Sequence, residues 1–127
     1  MSTAYYAVFH CLCRSAADLL VGETTTGRSE PAWQHVYRSL NHGSLKRACR
    51  SLEILALPSS DLAEFANLVV RLQTKRHAAD YDPCCSFRSS EVLADVASAE
   101  IAIVRFQRVG ERDKRAFLAF VMLDRRS

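Results

Sequence analysis

Little in this sequence breaks or staples a chain: 127 residues contain four glycines, three prolines and one tryptophan. Long uninterrupted segments follow, which suits helices better than a turn-rich β fold. Lysine is scarce as well, and only Lys46, Lys75 and Lys114 stand among 17 basic residues. No apolar run approaches the roughly 20 residues of a spanning helix, so no membrane association is expected. The five cysteines, Cys11, Cys13, Cys49, Cys84 and Cys85, are odd in number and lack any C-x-x-C spacing. That disfavours a secreted disulfide framework and makes a reducing cytoplasm the simplest compartment. Adjacent Cys84 and Cys85 have no histidine or acid cluster at ligand spacing, so no metal and no cofactor is expected. Phosphate-binding G-x-x-x-x-G-K, the G-x-S-x-G elbow and H-E-x-x-H are all absent.

What remains is a chain of 49% hydrophobic and 24% charged residues, ordinary for one globular domain spanning 1–127. The net charge of +3 is mild, but arginine carries most of it. Arginine suits carboxylate and phosphate forks better than lysine does, which keeps acidic partners, nucleotides and RNA in view.

The apolar spacing predicts an all-α antiparallel helical bundle of about five to six helices. A first helix runs from Ser2 to Val21 with Tyr5, Val8, Phe9, Leu12, Ala16, Leu19 and Leu20 on one arc, and Gly22 stops it. Pro31 opens a second that buries Trp33, Val36, Tyr37 and Leu40. Asn41-His42-Gly43 breaks that helix, and Ser44 is expected to cap a stretch through Leu55. Asp61 and Glu64 resemble a capping box at the head of a long helix that ends at Asp82-Pro83. A further helix from Ser89 carries the seam Val92, Val96, Ala99, Ile103 and Phe106 up to Gly110, and Ala116, Phe117, Phe120, Val121 and Leu123 mark the last.

The segment Arg76-His77-Ala78-Ala79-Asp80-Tyr81-Asp82 is the sharpest signal. At about 100° per residue, Phe65, Val69, Leu72 and Arg76 share one stripe, with Asp80 near its edge. An arginine that continues an apolar stripe is costly unless something meets its charge, and Asp80, one turn on, is the local candidate. Both are expected to be largely buried and in contact. Arg76→Ala should then cost about 3 kcal/mol or more, and Arg76→Met with Asp80→Leu much less. Three weaker signals accompany it. Tyr6 and His10 lie one turn apart on the first helix. His35 and His42, seven residues apart, return to nearly one face if a helix joins them. Arg71 and His77 have the composition of a ribonuclease pair, arginine for phosphate and histidine for the proton, yet a straight helix points them about 120° apart.

The segment Ser2-Thr3-Ala4-Tyr5-Tyr6-Ala7-Val8-Phe9-His10, followed by Arg76-His77-Ala78-Ala79-Asp80-Tyr81-Asp82, resembles the HEPN superfamily. More narrowly it is similar to small stand-alone bacterial and archaeal members carrying S-x-x-Y-Y-A-x-F-H and R-x-x-A-D-Y-D segments. The resemblance implies a helical bundle that forms a homodimer. It also implies one of two activities: a module binding a nucleotide, RNA or a protein partner, or a metal-independent ribonuclease of the toxin type. A nucleotidyltransferase-like or antitoxin partner belongs to the same implication. Binding would fall to Arg76, Asp80, Tyr81, Tyr6 and His10, and catalysis to Arg71 and His77. The sequence departs from the ribonuclease pattern in both registers. Counting from Arg76 puts Tyr81 where the histidine belongs, and counting from Arg71 puts Leu72 where a polar residue follows the arginine.

Overall fold

The computed structural model describes residues 3–81 and 89–126, with the backbone alone for Asp80 and Tyr81. The described residues form seven helices and no strand. These are α1 (Thr3–Val21), α2 (Glu30–Tyr37), α3 (His42–Cys49), α4 (Leu52–Leu55), α5 (Ser60–Tyr81), α6 (Ser89–Arg108) and α7 (Glu111–Met122). None is long and apolar enough to cross a membrane.

α1 is the hub, packed by α2, α5, α6 and α7. Its arc is close to the predicted one, with Tyr5, Val8 and Leu12 fully buried. Leu19 and Leu20 depart from it, being exposed where α1 runs out to Gly22. Gly22 ends the helix at φ +134°, a backbone conformation that side chains rarely adopt. Facing α1, Phe65, Val69 and Leu72 of α5 are also fully buried. Between them Phe65, Phe106 and Phe117 join α5, α6 and α7, with ring centroids 4.9, 5.9 and 5.6 Å apart.

Several local expectations need correcting. The stretch expected to run from Ser44 to Leu55 is two helices, which raises the count to seven. Asn41 caps the first of them, its Oδ1 accepting from Gly43 N at 2.9 Å and Ser44 N at 3.1 Å. His42 and Gly43 therefore open α3 instead of breaking α2. A second break comes at Ser51, whose hydroxyl accepts from Ile54 N and starts α4. At the head of α5 the cap is Ser59, which accepts from Leu62 N at 3.4 Å. Asp61 sits in the first turn, where a negative charge suits the helix dipole without a capping box.

The α6 seam holds at Ala99 and Phe106, while Val92 is 47% exposed. A 3.5-residue repeat drifts about 20° per heptad from a straight helix, and Val92 lies two heptads from Phe106. α2 buries no residue fully; Trp33, Val36 and Tyr37 are half-buried, and Leu40 is buried just beyond its end. α7 begins at Glu111, ahead of its apolar residues, and leaves Phe120 and Leu123 exposed. Asp82, Pro83, Cys84 and Cys85 lie outside the described residues.

Candidate functional site

The chemistry of this molecule gathers where α1, α3 and α5 meet. One turn of α1 sets Tyr5 against Phe9 and Tyr6 against His10, both pairs stacked, with centroids 5.9 and 5.8 Å apart. The Asn41 cap delivers His42 from the other side. Its imidazole stacks on Phe9 at 4.2 Å and 19°, and its Nδ1 lies 2.6 Å from the Tyr5 hydroxyl. Burial, then the charge of Arg76, then His10 hold the His42 pKa below its usual value, so the ring is neutral near pH 7. Burial also raises the Tyr5 pKa, against the pull of Arg76, which keeps the phenol protonated. A protonated phenol and a neutral imidazole therefore share one hydrogen bond between α1 and α3.

Gln73 locks α5 to this corner, its Nε2 donating to the His42 carbonyl at 2.9 Å. Its Oε1 is buried with no hydrogen-bond partner among the described residues.

Arg76, three residues further along α5, is half-buried with its Nε fully enclosed. Its guanidinium lies over the Tyr6 ring at 5.2 Å and the Tyr5 ring at 5.5 Å. The charge that the apolar stripe exposed in the sequence is met by two aromatic faces. The expected contact with Asp80 concerns a side chain outside the described residues, as does the role assigned to Tyr81. Both residues fall in the last turn of α5.

From Tyr6 a row of stacked rings continues across to α2. Tyr6 meets His10, His10 meets Tyr37 at 5.9 Å and 16°, and Tyr37 meets Trp33 at 5.1 Å and 28°. The Tyr37 hydroxyl also pairs with His10 Nδ1 at 3.0 Å. Arg28 closes the far end, 4.5 Å above Trp33, while Trp33 Nε1 donates to Asp18 at 2.9 Å. Because these rings occupy one another's faces, what they offer is their edges; with the Trp33 N–H and the Tyr37 hydroxyl engaged, the edges beside Arg76 are those of Tyr6 and His10. Polar edges beside arginine suit an anion better than they suit an inserted base.

The remaining predicted residues lie elsewhere. Arg71 is exposed and 3.9 Å from Asp95, which Lys75 also contacts at 2.9 Å. His77 is exposed on α5. His35 and His42 do not share a face, because α2 ends at Tyr37 and only His42 belongs to the cluster. Burial raises the thiol pKa values, to about 11 at Cys13 and about 12 at Cys49, so neither is an activated nucleophile. No group of three metal-binding side chains occurs among the described residues.

Sequence reasoning missed the parts played by His42, Gln73 and Tyr37. A signal existed for Gln73, a polar residue between Val69 and Arg76 on the apolar stripe. None existed for Tyr37 and His42, whose partners are 27 and 37 residues away. No family model, no curated protein and no solved structure matches the chain.

Proposed function

We propose that the chain is a HEPN-like helical domain that binds a phosphate-bearing ligand, a nucleotide or RNA, on the face formed by Tyr6, His10 and Arg76. The observation that carries this is the half-buried Arg76 guanidinium, held over two tyrosine rings beside the edges of Tyr6 and His10. A guanidinium fixed by its surroundings loses little freedom when it engages an anion, and its fork matches two phosphate oxygens. The proposal includes Asp80 and Tyr81, which fall in the last turn of α5. Arg71 has a carboxylate neighbour in Asp95, and the helix directs His77 about 120° away from it, so the proposed activity is binding without cleavage.

The homodimer belongs to the same proposal. α6 is apolar on more than its core side: Leu93, Ile101 and Val104 are exposed on one stripe, with Glu100 and Arg108 beside them. A second copy in antiparallel register would cover the apolar residues and set Glu100 near the opposite arginines.

The test is titration of the purified chain with a labelled single-stranded oligoribonucleotide and with adenosine diphosphate, at low and high salt. Binding that weakens with salt and leaves the RNA intact is expected. Metal-independent cleavage, lost in both Arg71→Ala and His77→Ala while the fold persists, would establish the ribonuclease instead. Sedimentation at micromolar concentration tests the dimer, and a clean 14.2 kDa species would count against it.

A further inference from the structure

α1 turns a second side, bearing Ala7, Cys11, Arg14 and Asp18, towards the junction of α6 and α7. A cleft of about 420 Å³ lies between them, within the range of small-molecule sites. Its charges are unevenly matched. Asp18 is held by Arg28 at 3.6 Å and by the Trp33 indole, and Glu111 is held by Arg115 at 3.4 Å. Arg14 forms no ion pair among the described residues. Lys114 is half-buried, and its ammonium donates to the Gln107 carbonyl at 2.9 Å in place of a carboxylate. Glu23 is the one lining carboxylate without an ion pair, and it lies beyond the end of α1, nine residues on from Arg14.

The two cations line the same cleft from different walls, Arg14 from α1 and Lys114 from α7. Burial raises the Cys11 thiol pKa, while a hydrogen bond with Ser15 and then the charges of Lys114 and Arg14 pull it back. The thiol thus stays protonated, and it lines the cleft together with both cations. Ala7, Ile103 and Leu118 supply apolar wall around it.

We infer that this cleft binds a small organic anion, a monophosphate or carboxylate with a compact apolar body, its charged head between Arg14 and Lys114. The cleft's size suits a single small molecule and not a polymer. His10 borders both this cleft and the ring row, whereas Arg76 belongs only to the latter. The inference is therefore independent of phosphate binding at Arg76.

Cys11 provides the readout. The full chain is alkylated with iodoacetamide, with and without phenyl phosphate, and Cys11 modification is followed by peptide mass mapping. Phenyl phosphate at several times its dissociation constant should slow Cys11 alkylation by about fivefold. Arg14→Ala, at an exposed position that leaves the fold intact, should abolish that protection, as should Lys114→Met. Arg76→Gln should retain it. The inference is overturned if alkylation is not slowed, or if sodium chloride at equal ionic strength slows it as much. Protection that survives in Arg14→Ala, or that vanishes in Arg76→Gln, would overturn it too.

Discussion

Phe65, Phe106 and Phe117 meet at 4.9 to 5.9 Å with no polar atom among their rings. Tyr5, Tyr6, Phe9, His10 and His42 meet at comparable distances, 4.2 Å for the closest stacked pair, yet four of these five rings carry nitrogen or oxygen. The first cluster is fully buried and draws mainly on apolar burial, with the Lys114 ammonium 5.8 Å from the Phe106 ring. The second grades from Tyr5, with no exposure, to His10 at the surface, and it holds an arginine and a glutamine oxygen with no hydrogen-bond partner among the described residues. Similar ring geometry thus serves two ends. One cluster closes the core, and the other carries polar groups from the core out to the surface.

Removing a ring from the dry cluster should have the largest effect. Phe106→Ala is expected to cost about 3–5 kcal/mol in urea denaturation, because the transfer energy and the cavity add. Ligand affinity of the molecules that remain folded should not change. Tyr5→Phe keeps the ring and deletes only the hydroxyl that meets His42 Nδ1. It should cost about 1.5 kcal/mol, because the part-buried hydrogen bond between Tyr5 and His42 is lost. A cost near zero would mean that this hydrogen bond does not hold α1 to α3.

Arg76→Met should act mainly on binding, lowering affinity for adenosine diphosphate or RNA by about tenfold, roughly 1.4 kcal/mol. Unchanged affinity at low salt would separate Arg76 from the ligand. The smallest expected effect is on pH dependence. His42 titrates below its ordinary pKa of about 6.5 in the folded chain, so on acidification the unfolded chain takes up the proton first. Stability is therefore full above that pH and falls as the pH drops through it. Melting temperature followed from pH 8 to 5 should show the fall, and His42→Asn should flatten it.

The helices were legible because few breakers interrupt the apolar spacing. The stripe Phe65, Val69, Leu72 and Arg76 led directly to the half-buried arginine. The aromatic faces over it were not legible, because Tyr5 and Tyr6 lie some 70 residues away and only the fold brings them there; the expected Asp80 contact lies outside the described residues. Caps were misplaced for a related reason. Asn41 and Ser59 each have neighbours that also cap well, Ser44 and Ser60, and backbone geometry chooses among them, whereas Ser51 caps a helix inside a stretch that the spacing read as continuous. Arg28 looked like loop composition, yet it binds the Gly22 and Glu23 carbonyls and the Glu30 carboxylate, tying the α1–α2 loop together.

The four histidines offer the most direct test that the polar cluster, and not another face, receives the ligand. His10 lies on the ring row, His42 is stacked beneath it, and His35 borders a separate groove between α2 and α7. Imidazole resonances of the full chain would be followed by NMR as adenosine diphosphate is added to saturation. The account predicts that the His10 and His42 signals move while His35 stays. His10 and His42 signals that hold still while the ligand binds, or a shift confined to His35, would contradict it.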